Sequence, residues 1–138
     1  MRVPMLRLDR ETLIVPLNAE IGDEEVLEFQ GELTERVSRD QVSGVVIDVS
    51  ALDLVDSYMA RVLNDTTRML RLLGAVAVVC GVRPAVALTL VEMGRDLVDV
   101  PTAFNLERAI ARLQQLRRHA DAALPGAEVS DDDEQPSR

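Results

Sequence analysis

The residue types that usually perform chemistry are thinly supplied in this sequence. Its one histidine, His119, falls at the end of the last helical pattern beside a polar tail, the place of a solvated side chain. Its one cysteine, Cys80, lies in an apolar run with no histidine near it in sequence, so it reads as packing rather than as a nucleophile. A single cysteine also rules out a disulfide within the chain. Lysine is absent and all 15 basic residues are arginine, which removes Schiff-base chemistry, lysine general bases and the phosphate-loop lysine together. Gly81-Val82-Arg83-Pro84 offers one glycine where a dinucleotide fingerprint needs three. Asp48, near the end of an apolar run, invites comparison with an aspartyl-phosphate receiver. Such a receiver also needs an acidic pair for a metal and a lysine near the phosphate, and the lysine is missing. No catalytic constellation, metal-ligand set or cofactor site emerges, and the chain reads as a non-enzyme.

One segment stands apart. In Val55-Asp56-Ser57-Tyr58-Met59-Ala60 a polar pair ends an apolar loop and opens an amphipathic run. Asp and Ser are preferred helix caps, and capping the free backbone N–H groups is by itself a sufficient reason for them. A hydroxyl at a helix start is also a good phosphoryl acceptor, because free N–H groups and the helix dipole stabilise the added charge. The neighbouring Asp56 carboxylate opposes that charge, so phosphorylation is expected to alter the surface more than it stabilises the fold.

The elements that must position this segment can be read from hydrophobic period. Met5 to Leu8 and Leu13 to Leu17 are short apolar runs split by Asp9-Arg10-Glu11, the pattern of two strands and a tight turn, with Pro16 suited to an edge or a bulge. Asp23 is the expected cap of a helix over 23–38, with Val26, Phe29, Leu33 and Val37 inward. Val45 to Val49 is too apolar to be half exposed and reads as a buried strand, as does Ala75 to Cys80. Between them a helix over 57–72 turns Met59, Val62, Leu63, Thr66, Met69, Leu70 and Leu73 inward and ends at Gly74 in a left-handed cap. Pro84 opens a helix to about residue 93, closed by Gly94. Leu97 to Val100 is the expected last strand, and 102–118 the last helix, with Leu106, Ala109, Ile110, Leu113 and Leu116 inward.

Strands alternating with amphipathic helices define an α/β domain with a mixed, mostly parallel sheet of four to five strands and about four helices. The domain is expected over 1–118, followed by an acidic, disordered tail over 119–138. At 138 residues the length suits one domain. Net charge is −9, of which residues 121–138 carry −5, so the folded part is only mildly acidic. That charge, with aromatics at 2%, argues against nucleic acid as a partner. No secretory signal pattern and no apolar run of membrane-spanning length is present, so a soluble cytoplasmic protein without a membrane partner is expected.

Several separated blocks resemble the STAS-domain family. They are Gly44-Val45-Val46-Ile47-Asp48-Val49-Ser50, Val55-Asp56-Ser57 with Arg61-Val62-Leu63, and Gly81-Val82-Arg83-Pro84-Ala85-Val86-Ala87-Leu88-Thr89-Leu90 with Met93-Gly94. The likeness covers about residues 3–116. In anti-sigma-factor antagonists of this family a glycine closely follows the phosphorylated serine. Here Tyr58-Met59-Ala60 follows Ser57, which favours the branch of RsbS-like stressosome scaffolds.

The resemblance implies a phosphoprotein of stress-response signal transduction. Such scaffolds co-assemble with RsbR-like STAS paralogues, as homo- and hetero-oligomers, into a large cytoplasmic complex that sequesters an RsbT-like serine/threonine kinase. The kinase phosphorylates the serine matching Ser57 and departs, and an RsbX-like phosphatase of the PP2C type resets the switch. A phosphate adds about −1.5 to −2 charges, and burying it unpaired in an interface would cost several kcal/mol, enough to change bound into released. Thr89 lies where RsbR-like paralogues carry an additional phosphorylated threonine, although packing of its methyl group is the simpler reading. Asp48 and Asp56 are expected to shape the loop next to Ser57. Two other functions stay open: an anti-sigma-factor antagonist that binds an anti-sigma kinase directly, and a STAS module that binds a nucleotide or lipid.

Overall fold

A computed structural model of the chain describes residues 3–92 and 100–122. The elements run β1 (Leu6–Asp9), β2 (Thr12–Pro16), α1 (Asp23–Asp40), β3 (Gly44–Asp48), α2 (Ser57–Leu72), β4 (Val76–Cys80), α3 (Pro84–Glu92), β5 (Thr102–Ala103) and α4 (Leu106–Ala122). The five strands lie in the order β1-β2-β3-β4-β5. β1 pairs antiparallel with β2, and the other three pairings are parallel. The expected α/β domain with a mixed, mostly parallel sheet is therefore the observed one.

The sheet is covered on both faces, which is why β3 and β4 read as continuous apolar runs instead of alternating ones. Val45 pairs with Ala77 and Ile47 with Val79, and these join the core formed with α1 and α2. Their neighbours Val46, Val78 and Cys80 pack with Ala109 and Leu113 of α4 on the opposite face. In α1 the buried residues are Val26, Phe29, Leu33 and Val37, as the period predicts. Pro16 ends β2 where β1 no longer pairs, so its missing N–H leaves no bond unmade.

Other boundaries differ. Gly22, not Asp23, caps α1, because the Glu25 carboxylate reaches back to accept from the Gly22 N–H at 2.9 Å. The last strand is Thr102–Ala103, after Pro101, where Val79 and Cys80 of β4 find their partners. A two-residue strand carries no detectable alternation, whereas Leu97–Val100 is the more apolar stretch; residues 97–99 lie outside the described residues, as does Gly94. α4 accordingly starts at Leu106, with the Asn105 side chain accepting from Arg108 N at 2.9 Å, and continues past Arg118 to Ala122. The tail beyond Ala122 lies outside the described residues.

In α2 the buried stripe is Met59, Ala60, Val62, Leu63, Thr66, Thr67 and Leu70. Met69 and Leu73, expected inward, are exposed and with Leu72, Thr34 and Glu35 line an open groove between α1 and α2. Leu106 is likewise part of the surface. Gly74, at φ +92°, turns the chain out of α2 in the left-handed conformation expected of it.

Candidate functional site

The site lies at the carboxyl ends of β3 and β4, where open parallel sheets usually present their loops to partners. β3 ends at Asp48, whose Oδ1 accepts from Ser50 N at 2.9 Å and turns the chain out of the sheet. Val49 N donates to Cys80 O at 2.9 Å, which holds this turn against the end of β4. Gly81 follows at φ +81°, and a Cβ there would lie 2.8 Å from the Ser50 Cβ and 3.0 Å from Asp48 Oδ1. The close approach of the two loops therefore requires glycine at position 81.

Leu52 and Val55 anchor the β3–α2 loop in the core, while Asp53, Leu54, Asp56 and Ser57 face solvent. Asp53 forms an ion pair with Arg83 at the start of α3, tying the two loops together from the outside. The buried anchors hold the loop that leads into α2, and the exposed Asp53–Arg83 pair spans the two loops outside them.

Asp56 is the residue that caps α2. Its Oδ1 accepts from Met59 N at 2.8 Å, and its carbonyl accepts from Ala60 N at 3.0 Å. Ser57 is then the first helical residue, exposed, with a hydroxyl that makes no hydrogen bond among the described residues. Local pattern allows both capping and phosphoryl acceptance as explanations of the Asp-Ser pair. In the structure the cap belongs to Asp56.

Thr89 sits differently. It is half-buried in the second turn of α3, and its Oγ1 donates to Ala85 O at 2.9 Å. It is carried by α3, whereas Asp48, Asp56 and Ser57 stand along the segment that joins β3 to α2. Cys80 is buried, and burial, followed by the nearby Asp48 charge, pushes its thiol from the ordinary 9.0 up to about 11. A thiol so protonated is a poor nucleophile. His119 is exposed in the last turn of α4. Among the described residues no three His, Cys, Asp or Glu side chains gather as metal ligands, and no helix is long and apolar enough to cross a membrane.

Two features escaped sequence reasoning. The Asp53–Arg83 clamp joins residues 30 positions apart, which no local pattern can pair. The second is that α3 buries only Val86 and Leu90 and leaves Leu88 and Val91 exposed. Its sequence, Pro-Ala-Val-Ala-Leu-Thr-Leu-Val-Glu, is apolar almost all round, and a surface helix of that kind was the available signal.

Comparison with known proteins agrees with this architecture. A family model described as the STAS domain matches residues 3–109. The chain is 28% identical over 107 residues to the RsbT co-antagonist protein RsbRA of Bacillus subtilis, and 30% identical over 98 residues to RsbRD of the same organism. Those matches cover 78% and 71% of this chain but only 39% and 35% of the relatives, so the chain spans under two fifths of their length. Among solved structures, Moorella thermoacetica RsbS bearing a serine-to-glutamate substitution is 41% identical, with a TM-score of 0.75 over 86% of this chain and 99% of that one. A chain from the molecular architecture of the stressosome is 40% identical, with a TM-score of 0.72 over 83% of this chain and 99% of that one. The match over most of the domain, on the sheet order and helix placement just described, makes the chain a member of the STAS-domain family.

Proposed function

We propose that this chain is a non-catalytic stressosome scaffold that sequesters an RsbT-like serine/threonine kinase and releases it once Ser57 is phosphorylated. The observation that carries the reading is the division of labour at the start of α2. Asp56 holds the cap, so the exposed Ser57 hydroxyl is available to a kinase without loss of the helix. The likeness to relatives named for antagonism of RsbT, and to an RsbS solved with a serine made acidic, points in the same direction.

In the reaction the kinase transfers the γ-phosphoryl group of ATP to the Ser57 Oγ, giving ADP and releasing the hydroxyl proton. The chain supplies no catalytic group; it presents the acceptor on a fixed loop. Leu54, three residues earlier on the same loop, is an exposed apolar residue suited to a kinase contact, and a contact that also covered the phosphate would have to desolvate it. An RsbR-like paralogue is the proposed co-scaffold, and an RsbX-like PP2C phosphatase removes the group. Thr89 is a weaker candidate for a second phosphorylation, since its hydroxyl is engaged inside α3.

The test is labelling by the RsbT-like kinase with ATP. The parent chain should gain one main phosphate, and Ser57→Ala should lose it; labelling of Ser57→Ala equal to the parent would overturn the reading. Ser57→Asp should weaken kinase binding at least several-fold by calorimetry, and unchanged affinity would exclude the charge mechanism.

A further inference from the structure

We propose that Arg61 is the cationic partner of the phosphoryl group on Ser57, one turn along α2, an inference that rests on Ser57 being the phosphoacceptor. Ser57 is the first residue of α2 and Arg61 the fifth, so the two side chains share one face of the helix at the four-residue spacing that lets them meet. Both are exposed. Arg61 makes no hydrogen bond or ion pair among the described residues, so engaging it breaks no existing contact.

The charged side chains that precede the serine on its loop are already engaged. The Asp56 carboxylate accepts from Met59 N, and Asp53 is paired with Arg83. Recruiting Arg83 to a phosphate would open the clamp between the two loops. Asp65 lies one turn beyond Arg61, but that pair runs cation-first along the helix, the less favourable order. Phosphoserine at position 57 runs anion-first, the more favourable order, with the phosphate at the positive end of the helix dipole.

Arginine suits the task because its planar guanidinium engages two phosphate oxygens at once. The contact offsets the repulsion from Asp56 and lays the phosphate along the exposed face of α2. A partner then meets a charge with one defined orientation. Arg61 thus acts as a positioning residue for the modification and takes no part in its chemistry.

The experiment installs phosphoserine at position 57 of the full chain by genetic code expansion and follows its phosphorus resonance through a pH titration. Pairing favours the dianion, so its second pKa should be lower in the parent than in Arg61→Gln by about 0.3 unit, with Arg61→Lys retaining most of the difference. Equal values in the parent and Arg61→Gln, or a higher value in the parent, would overturn the pairing. Because no kinase is used, that failure is separate from failure of the phosphoacceptor assignment, which the labelling of Ser57→Ala decides.

Discussion

Asp56 and Ser57 are adjacent, both exposed and both ordinary capping residues, yet the fold gives them different work. Replacing Asp56 by Ala strips a hydrogen bond from Met59 N and should destabilise the domain by about 1 kcal/mol, read as a lower urea midpoint. Ser57→Ala removes a hydroxyl with no partner and should stay within about 0.5 kcal/mol of the parent in the same assay. A larger loss from Ser57→Ala than from Asp56→Ala would return the capping role to the serine. Cys80 gives a second test, through pH. Its folded thiol is held at about 11 against an ordinary 9.0, so the fold keeps the proton that the unfolded chain gives up. The associated stability is complete below pH 9.0 and is lost as pH rises toward about 11. With no lysine and one tyrosine in the chain, few other groups share that window. Thermal unfolding should therefore fall across it in the parent and fall less in Cys80→Ala.

Among the elements, α1 and α3 form a contrast. α1 follows its period closely: Val26, Phe29, Leu33 and Val37 are all buried, and Phe29→Ala should cost about 3–5 kcal/mol by denaturant unfolding. α3 is richer in apolar residues and buries fewer of them. Leu88→Ser should change stability by no more than about 0.5 kcal/mol, because 60% of Leu88 is already exposed, whereas Leu90→Ala should cost about 2–5 kcal/mol. Equal losses at the two positions would mean that Leu88 is covered within the single chain. Hydrophobic period found every long element, since a helix or strand packed on a sheet must repeat apolar residues at its own spacing. It fails at β5 and, for the inward face, in the last turn of α2. Two residues of strand have no period, and at the end of α2 Leu70 takes the core position while Met69 and Leu73 line the groove beside α1.

Across the described residues, the molecule is a sheet covered on both faces, with loops leaving it at the carboxyl ends of β3 and β4. Under the proposed function it works only in company. Mixed with an RsbR-like paralogue, it should elute from size exclusion as a very large particle, with light scattering giving the mass. Elution as a small complex would favour the anti-sigma-factor antagonist alternative.

The α/β class, the central strands and the buried face of α1 are legible from composition and period, because burial on both sides of a parallel sheet leaves continuous apolar runs and a helix packed on it repeats apolar residues at its own spacing. The sequence by itself also brought Ser57 forward, as a hydroxyl at the start of a helix. Which of Asp56 and Ser57 caps that helix was left to tertiary structure. So were the meeting of Gly81 with Ser50 and the pairing of Asp53 with Arg83. Each of these depends on where a loop travels between strands, and a loop's path is set by contacts from distant residues, which no local spacing records.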